Sequence, residues 1–226
     1  MARGVSVIAI DGPVAAGKTA VGRELARTLG FGYLDTGIMY RAITWLALKN
    51  GIPVDDPDSL GELARANPLE IVGDDSNRVS VAGHTLGPEL RESSVDGNVS
   101  AVSMASAVRR ELVTQQRQTA KKGKIVMIGR DIGTVVLPNA DLKVYLTASP
   151  ENRAQRRWQE MRDRGEEIEL LKVLSETLAR DKKDSRREDS PLKPAEDAWE
   201  LNTDGLDIQQ VVQKIIDRAE SAGDPI

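Results

Sequence analysis

The α/β class, a parallel β-sheet covered by helices, is what this sequence predicts, and three observations predict it. Val5 to Ile10 is a short, β-rich apolar run, too continuous for an alternating half-exposed strand, so it reads as a strand buried on both faces. Further strand runs at Phe31 to Leu34, Lys124 to Ile128 and Leu142 to Thr147 are each followed by a loop or a helix start, and such alternation implies a parallel sheet with helical crossovers. Finally, 226 residues with 40% hydrophobic content can bury one substantial core, so residues 1–226 are expected to form a single folding unit with decorations.

The elements follow in order. The first strand runs into a Gly-rich turn. From Lys18 the apolar residues Val21, Leu25, Ala26 and Leu29 recur at helical spacing, and Gly30 supplies the residue past the helix end. After the second strand, Asp35-Thr36-Gly37 offers capping side chains to a helix carrying Ile38, Tyr40, Ile43, Trp45, Leu46 and Leu48, closed by Asn50-Gly51. Pro68 to Leu86 then changes character. Leu69 to Val72, Arg78 to Val81 and Thr85 to Leu86 are short runs separated by Gly73-Asp74-Asp75-Ser76-Asn77 and Ala82-Gly83, which is meander spacing, so a small antiparallel insert within residues 67–97 is expected. A long helical stretch from about Asn98 to Lys122 leads back to the strand at Lys124. A helix beginning near Pro150 follows the fourth strand, and the chain closes with a strand at Ala198 to Leu201 and a helix through Ile208, Val211, Val212, Ile215 and Ile216.

Charge and composition exclude several roles. With 31 Lys plus Arg against 35 Asp plus Glu, the formal charge is -4, so the whole molecule does not attract nucleic acid or an anionic membrane; any anion site must be local. Aromatic content of 3% leaves few platforms for stacking bases of a nucleic acid. The absence of cysteine rules out disulfides and thiolate metal sites. The first apolar run is too brief for a signal sequence and no stretch approaches a membrane span, so a cytoplasmic, monomeric protein is expected.

Gly12-Pro13-Val14-Ala15-Ala16-Gly17-Lys18-Thr19 fits G-x-x-x-x-G-K-S/T, with a strand before it and a helix after it. Such a loop aims successive backbone N–H groups and a helix N-terminus at phosphates; Lys18 would reach the β- and γ-phosphates, and the Thr19 hydroxyl would ligate Mg²⁺. No guanine-reading Asn-Lys-x-Asp element is present, and the chain is short for a motor, so the size fits a small-metabolite kinase. Arg41, just after the second strand, is either a bidentate phosphate clamp or an ordinary helix-surface arginine. Arg130 and Asp131 emerge after the strand ending at Ile128; they either face the cleft as a donor fork and an acceptor or close a loop as a pair. Arg153, Arg156 and Arg157 share one face of the helix from Pro150, as a solvated basic face or as a lid over a triphosphate. The mixed-charge run from Arg180 to Leu192 reads, by composition, as a solvated helix end, and His84 as a surface strand residue without a catalytic part.

Taken together, the P-loop, Asp35-Thr36-Gly37-Ile38-Met39-Tyr40-Arg41, Ile128-Gly129-Arg130-Asp131-Ile132-Gly133-Thr134-Val135-Val136, and Arg180-Asp181 through Ser190-Pro191-Leu192 resemble the bacterial cytidylate kinase family over nearly the whole chain. The resemblance implies a P-loop nucleoside monophosphate kinase fold, with an inserted CMP-binding lobe at 67–97 and an Arg-rich lid with acceptor-contacting helices at 150–190. It implies transfer of the γ-phosphoryl group of ATP, with Mg²⁺, to CMP or dCMP. ATP would be held by residues from Gly12 through Ala20, with Arg153 and Arg157; Lys18, Arg130 and Arg157 would serve catalysis. Similarity assigns cytosine to Ser100, Arg109 and Asp131, with Ser103 a second serine in reach of that place. It assigns the acceptor phosphate to Arg41, Arg130 and Arg187 with Thr36 nearby, and the sugar to Arg180 and Asp184. Thr36 departs from the serine expected there but keeps the hydroxyl. A carboxylate accepts from the cytosine amino group, and uracil has no such donor, so uracil is expected to be a poor substitute.

Overall fold

The computed structural model describes residues 4–73, 78–186 and 189–222. Among these residues, strands β1 (Val7–Asp11), β2 (Gly32–Asp35), β6 (Ile125–Ile128), β7 (Leu142–Thr147) and β8 (Trp199–Asn202) form a parallel sheet in the order β2-β6-β1-β7-β8. The short strands β3 (Glu70–Val72), β4 (Arg78–Val81) and β5 (His84–Leu86) pair antiparallel in a second sheet, in the region expected for the insert.

The apolar runs are continuous because both faces of the large sheet are covered. Ile8 and Ile10 of β1, with Val126 and Ile128 of β6, bury against α1 (Lys18–Leu29) and α8 (Ile208–Ala222). Ala9, Ile125 and Met127, which point the other way, bury against α2 (Thr36–Lys49), α3 (Pro57–Ala66) and α5 (Ser106–Ala120). Each fully buried Ile or Leu is worth about 1.5 to 3 kcal/mol relative to exposure, which makes these two layers the main stabilising element. Val79, Val81 and Leu86 of the insert bury into the α2 side of the same core.

Capping follows the sequence signals. The Asp35 side chain accepts from Gly37 N at the start of α2, and Gly30 adopts φ 65° at the end of α1. Two departures stand out. The helical stretch expected from Asn98 to Lys122 is two helices, α4 (Ser93–Val102) and α5, parted at residues 103–105. There the Ser103 hydroxyl donates to the Ser100 carbonyl at 3.0 Å, and the Ser103 carbonyl accepts from the Arg109 side chain. The structure also adds α3, whose Asp56 cap and Pro57 at its first position mark a helix start in the sequence.

After β7 the chain forms two packed helices, α6 (Pro150–Asp163) and α7 (Leu170–Ser185), with a small core of Ala154, Met161 and Val173. Among the described residues no helix is long and apolar enough to cross a membrane.

Candidate active site

Strand register places the chemistry. Ile10 pairs with Ile128 and Ile128 with Asp35, so the residues that follow β1, β6 and β2 leave the sheet side by side at its carboxyl edge. From β1 comes the phosphate loop. Gly12 has φ 148° and approaches β7 so closely that a Cβ there would lie 2.1 Å from the Leu146 carbonyl oxygen; only glycine fits. Gly17 caps α1 without a side-chain bond, which leaves the first N–H groups of the helix directed at the loop. Lys18 is half-buried and donates to the Gly12 and Pro13 carbonyls at 2.7 and 2.6 Å. Burial, and next the nearby Arg130 cation, push its ammonium down to about 7. The Thr19 hydroxyl donates to Asp35 at 3.2 Å.

From β2 comes Thr36, buried, whose hydroxyl donates to the Ile128 carbonyl at 2.9 Å and so pins the end of β6. Gly129 follows; a Cβ there would lie 2.6 Å from the Thr36 hydroxyl and 2.6 Å from Ile132. Then come Arg130, paired with Asp184 of α7, and Asp131, paired with Arg109 of α5. Asp184 is 1% exposed, and Asp131 and Arg109 are also buried. Arg109 lies over the Tyr40 ring at 5.8 Å. Arg41 pairs with Asp96 of α4 at 2.7 Å and donates to the Leu90 carbonyl at 2.9 Å. Ser100 is half-buried on α4, one turn from that Asp96, and Arg180 lies one turn before Asp184 on α7. Arg187 lies outside the described residues.

The three arginines of α6 part company. Arg153 is buried and donates to the Ala148 carbonyl at 3.0 Å, to the Val14 carbonyl at 3.3 Å and to Asp181 at 2.6 Å, tying α7 to the phosphate loop. Arg156 grips Thr203 through its hydroxyl at 3.1 Å and its carbonyl at 3.0 Å. Arg157 is half-buried, and none of the ion pairs among the described residues involves it.

Sequence reasoning found Asp131 and Asp184 but missed the other acidic partners of this site. Asp96, Asp181 and Asp184 hold Arg41, Arg153 and Arg130, and Asp11 holds the turn after Asp131; of these, only Asp184 had been singled out, and as a sugar contact. The signal available for Asp11 is a carboxylate closing an otherwise apolar strand. Asp35 was read as a helix cap, and it also accepts from Thr19.

Thr19 and Asp35 offer hard oxygen donors next to the phosphate loop, and among the described residues no group of three or more His, Cys, Asp or Glu is arranged to hold a metal ion. That donor set fits Mg²⁺, which keeps several waters and shares phosphate oxygens rather than filling an all-protein cage.

The chain is similar to known proteins over nearly its full length. The family model described as cytidylate kinase matches residues 8–221. The cytidylate kinase of Streptococcus pneumoniae (strain 70585) is 47% identical over 215 residues, covering 94% of this chain and 96% of that protein. Among solved structures, an uncharacterized protein from Eubacterium ventriosum ATCC 27560 matches with a TM-score of 0.52 at 11% identity, covering 96% of this chain and 99% of that one. Shikimate kinase from Acinetobacter baumannii in complex with shikimate matches with a TM-score of 0.49 at 19% identity, covering 96% and 94%. A phosphate loop, an arginine-rich edge beside it and a family match over nearly its full length together establish that this chain belongs to the cytidylate kinase family.

Proposed function

We infer that the chain transfers the γ-phosphoryl group of ATP to CMP or dCMP, giving ADP and CDP or dCDP. The observation that carries the reading is the adjacency, at one sheet edge, of a phosphate loop from β1 and the Arg130-Asp131 pair from β6, with Arg109 of α5 joined to Asp131. The loop from Gly12 to Ala20 would cradle the triphosphate, with Lys18 on the transferred group and Arg157 approaching from α6.

A guanidinium has five N–H donors, so an arginine already held by a carboxylate keeps donors for a phosphate. Arg41 and Arg130 would receive the acceptor phosphate this way, with Thr36, and with Arg187, which lies outside the described residues, as a further donor. Arg180 and Asp184 would face the sugar. Asp131 gives one carboxylate oxygen to Arg109; the other is suited to accept from the cytosine amino group, with Ser100 alongside.

The nucleophile is an oxygen of the acceptor phosphate, whose second pKa near 6 leaves it ionised at neutral pH. The new bond joins that oxygen to the γ-phosphorus as the bond to the ADP oxygen breaks; no proton moves, so no general base is required. Lys18, Arg130 and Arg157 neutralise the charge spread over the transferring group and keep the reactants in line. Thr19, with Asp35 next to it, would hold Mg²⁺, which would supply charge neutralisation at the phosphates.

The test is ADP release from ATP and Mg²⁺ with CMP, dCMP, UMP or AMP as acceptor, with Asp131→Ala in parallel. CMP and dCMP should far exceed the others, and the variant should lose that preference. A faster reaction with AMP or UMP refutes the acceptor assignment; no reaction with any of them refutes catalysis.

A further inference from the structure

We propose that Asp11 is a positioning residue for acceptor recognition, holding from the end of β1 the turn that presents Arg130 and Asp131. Its two carboxylate oxygens accept separately from the backbone N–H groups of Ile132 and Gly133, each at 2.7 Å, and the residue is 4% exposed. The inference rests on the reading that Asp131 recognises the base.

The turn is fixed at both ends. On the near side Thr36 pins the Ile128 carbonyl and Gly129 seats against Thr36 and Ile132. On the far side Asp11 takes the next two N–H groups, leaving Arg130 and Asp131 between the anchors. The chain beyond is a wide helical turn, Ile132–Val136, in which Val136 N donates to the Asp131 carbonyl at 3.1 Å and Leu137 N to the Ile132 carbonyl at 2.6 Å. Its first N–H groups have no partner earlier in that turn, and Asp11 meets them.

Sheet pairing does not need this carboxylate. Ile10 already aligns with Ile128, and the Ile10 carbonyl accepts from Gly129 N at 3.0 Å. Burying a carboxylate is costly, so a side chain placed here does something the ladder does not. It sits immediately before Gly12, so one residue ties the start of the phosphate loop to the base-reading turn. Gly133 completes the fit, since a Cβ there would lie 3.3 Å from the Asp11 carboxylate and 3.2 Å from the Lys143 side chain.

Asp11→Asn turns one acceptor into a donor and sets it against a backbone N–H. Steady-state constants for CMP, UMP and ATP would be measured at pH 8, with urea titrations of each protein. The expected result is a fall of about tenfold or more in the CMP-over-UMP ratio of kcat/KM, as loss of a positioning contact near the base demands. KM for ATP should stay within about twofold. Gly133→Ala, which crowds the same carboxylate from the other side, should move the ratio in the same direction. An intact ratio, even with lower kcat or lower stability, makes Asp11 a structural residue and overturns the proposal, as does a loss confined to KM for ATP. If Asp11→Asn does not fold, the ratio in Gly133→Ala decides by the same criterion. Asp131→Ala separates the two readings: if it keeps the wild-type preference, base reading by Asp131 fails and the proposal falls with it; if it loses the preference and Asp11→Asn does not, the proposal fails alone.

Discussion

Lys18 and Asp11 face each other's field across the mouth of the phosphate loop, and each is displaced from its ordinary pKa mainly by burial. Among the described residues Lys18 hydrogen-bonds to carbonyls of its own loop, so Lys18→Met should leave stability within about 1 kcal/mol of wild type while kcat drops by roughly 100-fold or more. Denaturant titration and initial rates measure both; an equal loss in each would place Lys18 in the fold rather than the chemistry. Burial pushes the Asp11 carboxyl up to about 6, against the N–H bonds from Gly133 and Ile132. An acid whose folded pKa lies above its unfolded one contributes stability that is full below the unfolded pKa and lost as pH rises through the folded pKa. Between pH 5 and pH 7, wild type should therefore lose about 1 kcal/mol relative to Asp11→Asn. Paired urea titrations at the two values test the sign. At this scale the sequence exposed some partners and hid others: Arg41, Arg130 and Asp131 lie in recognisable motifs, whereas Asp96 is an unremarked acid whose partner lies elsewhere in the chain.

Helix contacts set the energetics one level up. Gly61 of α3 faces α5 so tightly that a Cβ would lie 2.4 Å from that of Ala107, whereas Gly97 of α4 has nothing within 4 Å of the same position. Gly61→Ala should cost about 1 to 3 kcal/mol through overpacking. Gly97→Ala should add about 0.5 to 1 kcal/mol, because it removes backbone entropy from the unfolded chain without meeting a neighbour. Thermal or urea unfolding of both variants checks the contrast, and equal effects would mean that the α3 and α5 contact yields easily. Strand positions were legible because burial on two faces leaves unbroken apolar runs. The parting of α4 and α5 was not, since apolar spacing runs straight through Ser103 and the break comes from where Ser103 and Arg109 send their hydrogen bonds.

Across the whole molecule, periodicity identifies a parallel sheet but not its order. The arrangement β2-β6-β1-β7-β8 comes from long crossovers that local pattern does not record, and that order brings β2, β6 and β1 to one edge. Spacing alone left the Arg130 and Asp131 part of the candidate cleft undecided between loop closure and ligand binding; the family resemblance assigns it to the acceptor, and the structure pairs the two residues with Asp184 and Arg109. One feature of that cleft bears on how the protein meets ions in bulk solution. Four of its arginines come already matched: Arg41 with Asp96, Arg109 with Asp131, Arg130 with Asp184 and Arg153 with Asp181. A bare basic pocket would gather small anions and release them on ligand entry, making affinity fall steeply with ionic strength. A cleft neutralised by its own carboxylates has few such counterions to surrender. KM for CMP should thus rise by less than about threefold between 50 and 500 mM KCl, and a steep salt dependence in those kinetics would show that the carboxylates let go when the nucleotide arrives.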